Sequence, residues 1–275
     1  MRRNLGAPTD CGNSRPPRLR VNYLSFPVEW NGKQVLIGAR LQIPLNLSGK
    51  APAVIMLHNG SGVNYRGVYY AAALNSAGMA TLEIDQYGGR DIGPGRIKPI
   101  KALSDVGPAY RLLAARPEID PERIDVTSMS FGAIEAMLST TTRNSDLVLG
   151  HGNHFKAALP LYPVCWTYNH RSGFEFTDLV DAPIRIFVGS EDDTDEAGAL
   201  ARRWSASCLP PMPRMFRCGS LRMPRTRSMG LMDGQTCRTR LPIMAREESI
   251  AFVLARRHVS KPASNSCSFF ADMLK

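Results

Sequence analysis

The sequence lacks several features that would assign it to a particular class of protein. No apolar run approaches the roughly 20 residues that a membrane-spanning helix requires, and no apolar stretch typical of a secretory signal follows the charged N-terminus. The six cysteines form no C-x-x-C pair and have no histidine nearby at zinc-finger spacing. Structural zinc and a disulfide framework are therefore not indicated. These absences predict a cytoplasmic protein without a membrane segment or a metal site.

The charge of the chain is distributed unevenly. Basic and acidic residues balance over residues 1–197, so the whole net charge of +10 lies in residues 198–275. A basic region of this kind can bind nucleic acid. Here, however, the arginines are scattered, without a helical stripe and without aromatic residues between them. Nucleic acid is therefore not an expected partner.

The hydrophobic pattern predicts one α/β domain. Residues 1–20 are polar and rich in Arg and Pro, which indicates a flexible N-terminal segment. The pair Asn31–Gly32 between two alternating strands indicates a hairpin. From Ala53 onward, apolar strands alternate with amphipathic helices, which predicts a mostly parallel sheet covered by helices on both faces. The domain is expected to cover residues 21–197, with its chemistry at the carboxyl ends of the strands. The predicted elements are strands at Asn22–Glu29, Gln34–Ile43, Ala53–Leu57, Ala80–Ile84, the segment from Ile124, Ala157–Leu161 and Ile184–Val188, and helices at Gly67–Ala77, Ala102–Ala115 and Ala133–Leu138.

The segment around Ser130 has the pattern of a nucleophile elbow. A short β-branched strand leads into Ser128-Met129-Ser130-Phe131-Gly132, and an apolar helix follows at once. A serine on such a turn presents its hydroxyl at the edge of the sheet, above a helix N-terminus. The flanking positions must be small, which Gly132 satisfies; Ser128 stands where glycine is usual. The alternative is an ordinary strand-to-helix turn in which Ser130 caps the helix.

A second loop would supply donors for a developing negative charge. The glycine-containing run that begins at His58 follows a predicted buried strand. The backbone amide of Gly60 and that of Phe131, beside the serine, are the expected oxyanion hole. The alternative is a simple turn in which the glycines have no further role.

The remaining candidate residues follow other predicted strands. Asp192 comes after the Ile184 strand, where a carboxylate would orient a histidine, and Asp193 is the second choice. The alternative is a solvated acidic loop. Asn59, Tyr65 and Arg90 are candidates for substrate binding, although Arg90 is equally suited to a structural ion pair.

Together these segments resemble the dienelactone hydrolase family of the α/β-hydrolases, over roughly Leu24–Glu196. The resemblance implies hydrolysis of a small ester or lactone through an acyl-enzyme, without metal or organic cofactor. The founding members use cysteine, so Ser130 makes this chain similar to a serine branch. The alternative function is a non-catalytic scaffold of the same fold that binds a small ligand or a protein. The motifs that carry the resemblance are Gly62–Asn64, Tyr65–Gly67, Glu83–Asp85, Asp120–Ile124, the Ser130 elbow, and Ala182–Ile184 leading to Gly189 and Asp192.

The family pattern fails where the catalytic histidine should stand. No histidine lies between His170 and His258. His258 is the candidate general base by position, but its surroundings are typical of the end of a helix. His58, His151 and His154 are interpreted as structural or solvated. The sequence therefore predicts the architecture of a hydrolase whose triad histidine is missing, so that this product is expected to be inactive or only weakly active.

The region that should contain this histidine has an unusual composition. No strand or amphipathic helix is predicted from Ala199 to Arg240, so residues 198–275 are expected to be poorly or only partly folded. A reading-frame slip is one hypothesis. Residues 226–232 can be encoded by ACG CGT TCG ATG GGC CTG ATG, and the same bases read one position earlier, after a C, give His-Ala-Phe-Asp-Gly-Pro-Asp. Such a segment resembles the histidine loop of the family, and a slip would also explain the excess of arginine.

Overall fold

The computed structural model describes residues 17–45, 47–164, 168, 171–189 and 216–221, the last six and residues 187–189 by their backbone alone. This part of the chain forms eight strands and five α-helices, with short 3₁₀ turns at Gly88–Arg90 and Leu103–Asp105. The strands are β1 (Leu19–Trp30), β2 (Lys33–Pro44), β3 (Ala51–Leu57), β4 (Ala80–Asp85), β5 (Ile119–Met129), β6 (Ala158–Leu161), β7 (Ile184–Gly189) and β8 (Phe216–Leu221). The helices are α1 (Tyr65–Ser76), α2 (Pro99–Ala102), α3 (Val106–Ala114), α4 (Phe131–Leu138) and α5 (Thr142–Leu149).

The first two strands form the predicted hairpin. Trp30 of β1 pairs with Lys33 of β2, which leaves Asn31 and Gly32 as the two turn residues. Their φ angles are 52° and 74°. A two-residue turn with positive φ at both positions matches the twist of the strands it joins, which is why an Asn–Gly pair is favoured there.

All eight strands belong to one sheet, in the order β1-β2-β4-β3-β5-β6-β7-β8. The pairs β1/β2 and β2/β4 are antiparallel, and every pair from β4 to β8 is parallel. The chain leaves β3 toward β4 on one side, whereas it leaves β5 toward β6 on the other. Loops that diverge from neighbouring parallel strands open a crevice at their carboxyl ends. The predicted mostly parallel sheet is confirmed, and it places the crevice between β3 and β5.

Helices cover both faces of the sheet, as the alternation along β3 shows. Val54 and Met56 belong to the core that includes Tyr70 and Leu74 of α1. Ile55 and its other odd-numbered neighbours belong to the opposite core, which α3 and α4 complete. Because central strands are apolar on both faces, β3 is buried at every position except Pro52.

Three elements differ from the sequence prediction. The helix predicted at Ala102–Ala115 is divided into a 3₁₀ turn and the shorter α3. Helix α5 was not predicted because its first residues are polar, although Thr141 caps it through a bond from the Asn144 amide. Strand β8 lies where no strand is predicted, since its sequence contains Arg, Cys, Gly and Ser; it pairs in parallel with β7.

The predicted domain boundaries fall largely beyond the described residues. Residues 1–16 lie outside them, and β1 already begins at Leu19. Of residues 198–275, only β8 is described. Within the described chain, no helix has the length and apolar character needed to cross a membrane.

Candidate active site

Ser130 is the single residue between β5 and α4. Its backbone has φ 49° and ψ −106°, a conformation that costs a non-glycine residue about 1–3 kcal/mol and persists only when its surroundings impose it. The Ser130 amide donates to the Leu161 carbonyl at 3.0 Å, and its own carbonyl accepts from the Ala133 amide at 3.0 Å. The half-buried side chain makes no capping hydrogen bond to the helix. The hydroxyl is therefore not used as a helix cap, which was the alternative interpretation.

Gly132 allows helix α4 to approach the end of β3. A Cβ atom at this position would lie 2.7 Å from the His58 carbonyl oxygen and 2.7 Å from Cβ of Leu57. The Gly132 amide donates to that same His58 carbonyl at 3.2 Å. Only glycine fits this contact between backbones, and the contact fixes the turn relative to the loop after β3.

The two expected oxyanion donors are neighbours. A Cβ atom built on Gly60 would lie 3.9 Å from Cβ of Phe131. Within the described residues, neither the Gly60 amide nor the Phe131 amide donates to a protein acceptor. Two adjacent, unpaired N–H groups beside a serine are the components that stabilise a developing oxyanion.

His58 is a structural part of this loop. Its side chain is buried and both ring nitrogens are engaged: Nδ1 lies 2.8 Å from the Asn59 carbonyl oxygen, and Nε2 accepts from the Gln86 amide at 3.2 Å. Burial lowers the pKa of His58. A neutral ring with both nitrogens occupied has no free nitrogen to accept a proton from Ser130.

The candidate substrate-binding residues have different surroundings. Asn59 is buried, and its Oδ1 accepts from the Ser61 amide at 2.9 Å, so this side chain holds the loop. Tyr65 is 52% exposed at the start of α1. Arg90 is buried and bonds Asp105 through both terminal nitrogens, at 2.8 and 2.6 Å. The geometry of Arg90 favours the structural ion pair over binding of a substrate.

The predicted acid and base lie beyond the described part of the chain. Asp192, its second choice Asp193, and His258 all fall outside the described residues. The strand that precedes the acid, β7, runs parallel to the neighbouring β6, so it ends at the same edge of the sheet as Ser130. His151 is exposed and pairs with Asp146 at 3.0 Å.

Tyr87, in the segment between β4 and Arg90, also lies at the candidate site. Its ring contacts His58 edge-on at 4.5 Å between centroids and lies 6.1 Å from the ring of Phe131. The hydroxyl donates to the Gly60 carbonyl at 3.3 Å, and burial raises the pKa of Tyr87 to about 12. Tyr87 therefore remains a neutral donor that holds the loop containing Gly60.

Metal ligation has no basis in the described residues. They contain no group of three or more His, Cys, Asp or Glu side chains able to hold a metal ion.

Comparisons with known proteins concern the fold. No protein-family model matches the sequence, and no curated protein matches it. Solved structures do match. A protein described as a dienelactone hydrolase from Klebsiella pneumoniae is 18% identical, with a TM-score of 0.51 over 74% of this chain and 85% of its own. An esterase from Pyrobaculum calidifontis is 17% identical, with a TM-score of 0.53 over 74% and 75%. Esterase 2 from Thermogutta terrifontis is 14% identical, with a TM-score of 0.55 over 87% and 97%. Strand order, helices on both faces and these likenesses together show that the chain has the α/β-hydrolase fold.

Proposed function

We propose that this protein is a hydrolase of small carboxylic esters or lactones that acts through an acyl-enzyme on Ser130. One observation carries the proposal. Ser130 is held in a strained turn, its hydroxyl does not cap the helix, and beside it lie two backbone amides that have no acceptor among the described residues. Strain that the surroundings impose at a serine is typical of a functional site.

The reaction would proceed in two steps. The Ser130 oxygen attacks the carbonyl carbon and its proton passes to a general base, while the Gly60 and Phe131 amides hold the oxygen that becomes negative. The bond to the leaving alcohol breaks, and the alcohol takes the proton from the base. Water then attacks the acyl-enzyme in the same manner, which releases the acid and restores Ser130.

Asp192 and His258 are the proposed orienting acid and general base. His258 is the only histidine that follows Asp192 in the chain. A chain that fails to place it would retain the oxyanion hole without the base. Loss of one triad member typically lowers kcat by about 10⁴-fold. Slow turnover is accordingly part of the proposal.

The structural neighbours support a covalent probe. Esterase 2 from Thermogutta terrifontis is described as phosphorylated by paraoxon, a phosphate ester that resembles the tetrahedral stage of ester hydrolysis.

For this chain we propose the cytoplasm as compartment and a small ester or lactone as partner.

Labelling with a fluorophosphonate tests the proposal. The serine oxygen bonds to phosphorus and fluoride leaves, so mass spectrometry of the digested protein should show the adduct on Ser130. Ser130→Ala should abolish the adduct. Ser104→Ala, which changes an exposed serine bonded to the Lys101 carbonyl, should retain it.

Hydrolysis of a p-nitrophenyl ester is the second measurement. Slow release of p-nitrophenol that Ser130→Ala removes would support the enzymatic proposal. Absence of both the adduct and hydrolysis would contradict it and favour the non-catalytic scaffold.

A further inference from the structure

A chain of buried polar residues lies beneath the oxyanion loop and takes no part in the proposed steps. Gln86 follows β4, Arg90 ends a 3₁₀ turn, Asp105 precedes α3, and Glu135 lies in α4. All four are buried, and Glu135 is the only charged residue among the apolar residues of its helix. Buried polar groups are costly unless they are bonded, so each contact in the cluster has a structural consequence.

Gln86 is the centre of this cluster. Its amide N–H donates to Nε2 of His58 at 3.2 Å, and its carbonyl accepts from Arg90 at 2.8 Å. Its side-chain nitrogen donates to Glu135 at 2.8 Å and to the Ala102 carbonyl at 3.1 Å. Backbone and side chain of Gln86 are thus held by four elements: the loop after β3, the 3₁₀ turn that ends at Arg90, α2 and α4.

The contact with His58 determines the orientation of the Gly60 amide. Because Nε2 accepts a hydrogen bond, the neutral ring carries its proton on Nδ1, which donates to the Asn59 carbonyl at 2.8 Å. A trans peptide places its N–H opposite its C=O. The Gly60 N–H therefore points away from His58 and is left free for a ligand.

The hydrogen bond from Gln86 to Glu135 connects Gln86 to the helix that provides the second donor, the Phe131 amide. Glu135 belongs to helix α4, whose first residue, Phe131, provides the other free amide. Gln86 consequently bonds two elements at once: the loop that contains Gly60 and the helix that begins at Phe131.

The charges in the cluster allow this arrangement. Arg90 and Asp105 form a bidentate pair with both side chains fully buried, so their charges compensate each other. Burial raises the pKa of Glu135 well above its ordinary value, which favours the neutral acid, and Oε2 of Glu135 accepts from Gln86 in either protonation state. A glutamine at position 135 would offer the same acceptor with nearly the same shape.

We propose that Gln86 and Glu135 are positioning residues that set the two oxyanion amides relative to each other, Gly60 through His58 and Phe131 through helix α4. The inference rests on the proposed function for its effect on catalysis. The arrangement of His58 that it requires can be measured without any turnover.

Two substitutions at position 135 distinguish an effect on the position of the two amides from an effect on the stability of the fold. Glu135→Leu removes the acceptor for Gln86, whereas Glu135→Gln keeps it. Removal of one oxyanion donor costs about 10²–10³-fold in kcat, so partial displacement should slow fluorophosphonate labelling of Ser130 by about 10- to 100-fold in Glu135→Leu. Glu135→Gln should label within about threefold of the unchanged chain.

A matched control comes from a buried polar contact outside the site. Asn75 of α1 donates to the Ala71 carbonyl at 2.6 Å and to Thr81 at 3.0 Å. Asn75→Leu should lower the melting temperature but leave the labelling rate within about twofold.

Gln86→Met is a second test variant, for use if Glu135→Leu does not fold. It should slow labelling as Glu135→Leu does, and the double variant should be no slower than either single one.

The ¹⁵N shifts of His58 provide the readout that does not depend on labelling. The unchanged chain and Glu135→Gln should show one neutral tautomer with the proton on Nδ1, whereas Glu135→Leu should show a mixture. If the unchanged chain is not labelled, the proposed function fails, and these shifts still test the positioning. An unaltered His58 spectrum in Glu135→Leu, or labelling of Glu135→Gln as slow as that of Glu135→Leu, would overturn the inference.

Discussion

The candidate site has two halves, and only one of them lies within the residues that the structure describes. The proposed oxyanion half consists of Ser130 and the Gly60 and Phe131 amides, and contacts among described residues hold the turn and the loop that carry them. The acid–base half rests on Asp192 and His258, both outside the described residues. His258 lies in the basic region after residue 197, whereas Asp192 precedes that region. Oxyanion stabilisation without a general base retains only part of catalysis, about 10³–10⁴-fold over water in serine proteases, so the comparison predicts a weak enzyme with a well-formed electrophilic site.

The largest effect is expected from completing the acid–base half. With the codons given above, a product read in the slipped frame from about residue 198 would contain a His-Ala-Phe-Asp segment in place of residues 226–229. We expect its kcat/KM for a p-nitrophenyl ester to exceed that of the present chain by about 10⁴-fold, because a missing triad member costs about that much. Ser130→Ala in the slipped-frame product should remove the gain. The nucleotide sequence of the gene is the first check, and equal activity of the two products would contradict the hypothesis.

Asp125 should give the protein a pH dependence that could be mistaken for the titration of a catalytic histidine. Asp125 lies in β5, the strand that leads to Ser130, and neither of its oxygens forms a well-aligned hydrogen bond with another described residue, although the Ala157 amide lies close. Burial raises the pKa of Asp125 to about 7, although Arg123 and the Ala157 amide lower it by less. The folded state therefore keeps this proton from about pH 4 to pH 7 while the unfolded chain has lost it.

Stability should consequently fall as the pH rises through this window, by roughly 4 kcal/mol for a shift of three pKa units, and level off above pH 7. Urea unfolding at several pH values would measure the slope, which Asp125→Asn should flatten. If the activity of the slipped-frame product also changes near pH 7 and still does so in Asp125→Asn, the change belongs to the acid–base half. An unchanged slope of stability in Asp125→Asn would show that Asp125 is not its source.

Gly132→Ala tests how closely helix α4 is packed against the end of β3. In Gly132→Ala, the new methyl group would meet backbone 2.7 Å away, so helix α4 must shift from the end of β3. We expect a loss of about 1–3 kcal/mol in the free energy of unfolding together with slower labelling of Ser130. Gly38→Ala is the matched control, because a Cβ there has no atom within 4 Å. Normal labelling of Gly132→Ala would mean that the turn tolerates displacement.

The sequence predicts the oxyanion half better than it predicts the residues that support it, Gln86 and Glu135, and the reason is physical. Ser130 and Gly132 are close in the chain and the turn requires them, so a short pattern suffices to find them. Gln86 and Glu135 meet from the end of β4 and the middle of α4, and no local pattern joins residues so far apart. The one available signal was an acidic residue inside an apolar helix. The same limit applies to the fold: the apolar run of β3 is read directly, whereas β8 becomes a strand only through pairing with β7.

The smallest effect is expected at Tyr87, which holds the oxyanion loop through one long hydrogen bond. Tyr87→Phe keeps the ring against His58 but removes the donor to the Gly60 carbonyl, 3.3 Å away. A neutral hydrogen bond contributes about 0.5–1.5 kcal/mol, so labelling of Ser130 should slow by about threefold to tenfold. Tyr23→Phe removes a hydroxyl from an exposed ring of β1 and should have no effect on labelling. If both variants label at the unchanged rate, His58 alone orients the loop, and the arrangement of the oxyanion half depends on fewer contacts than we infer.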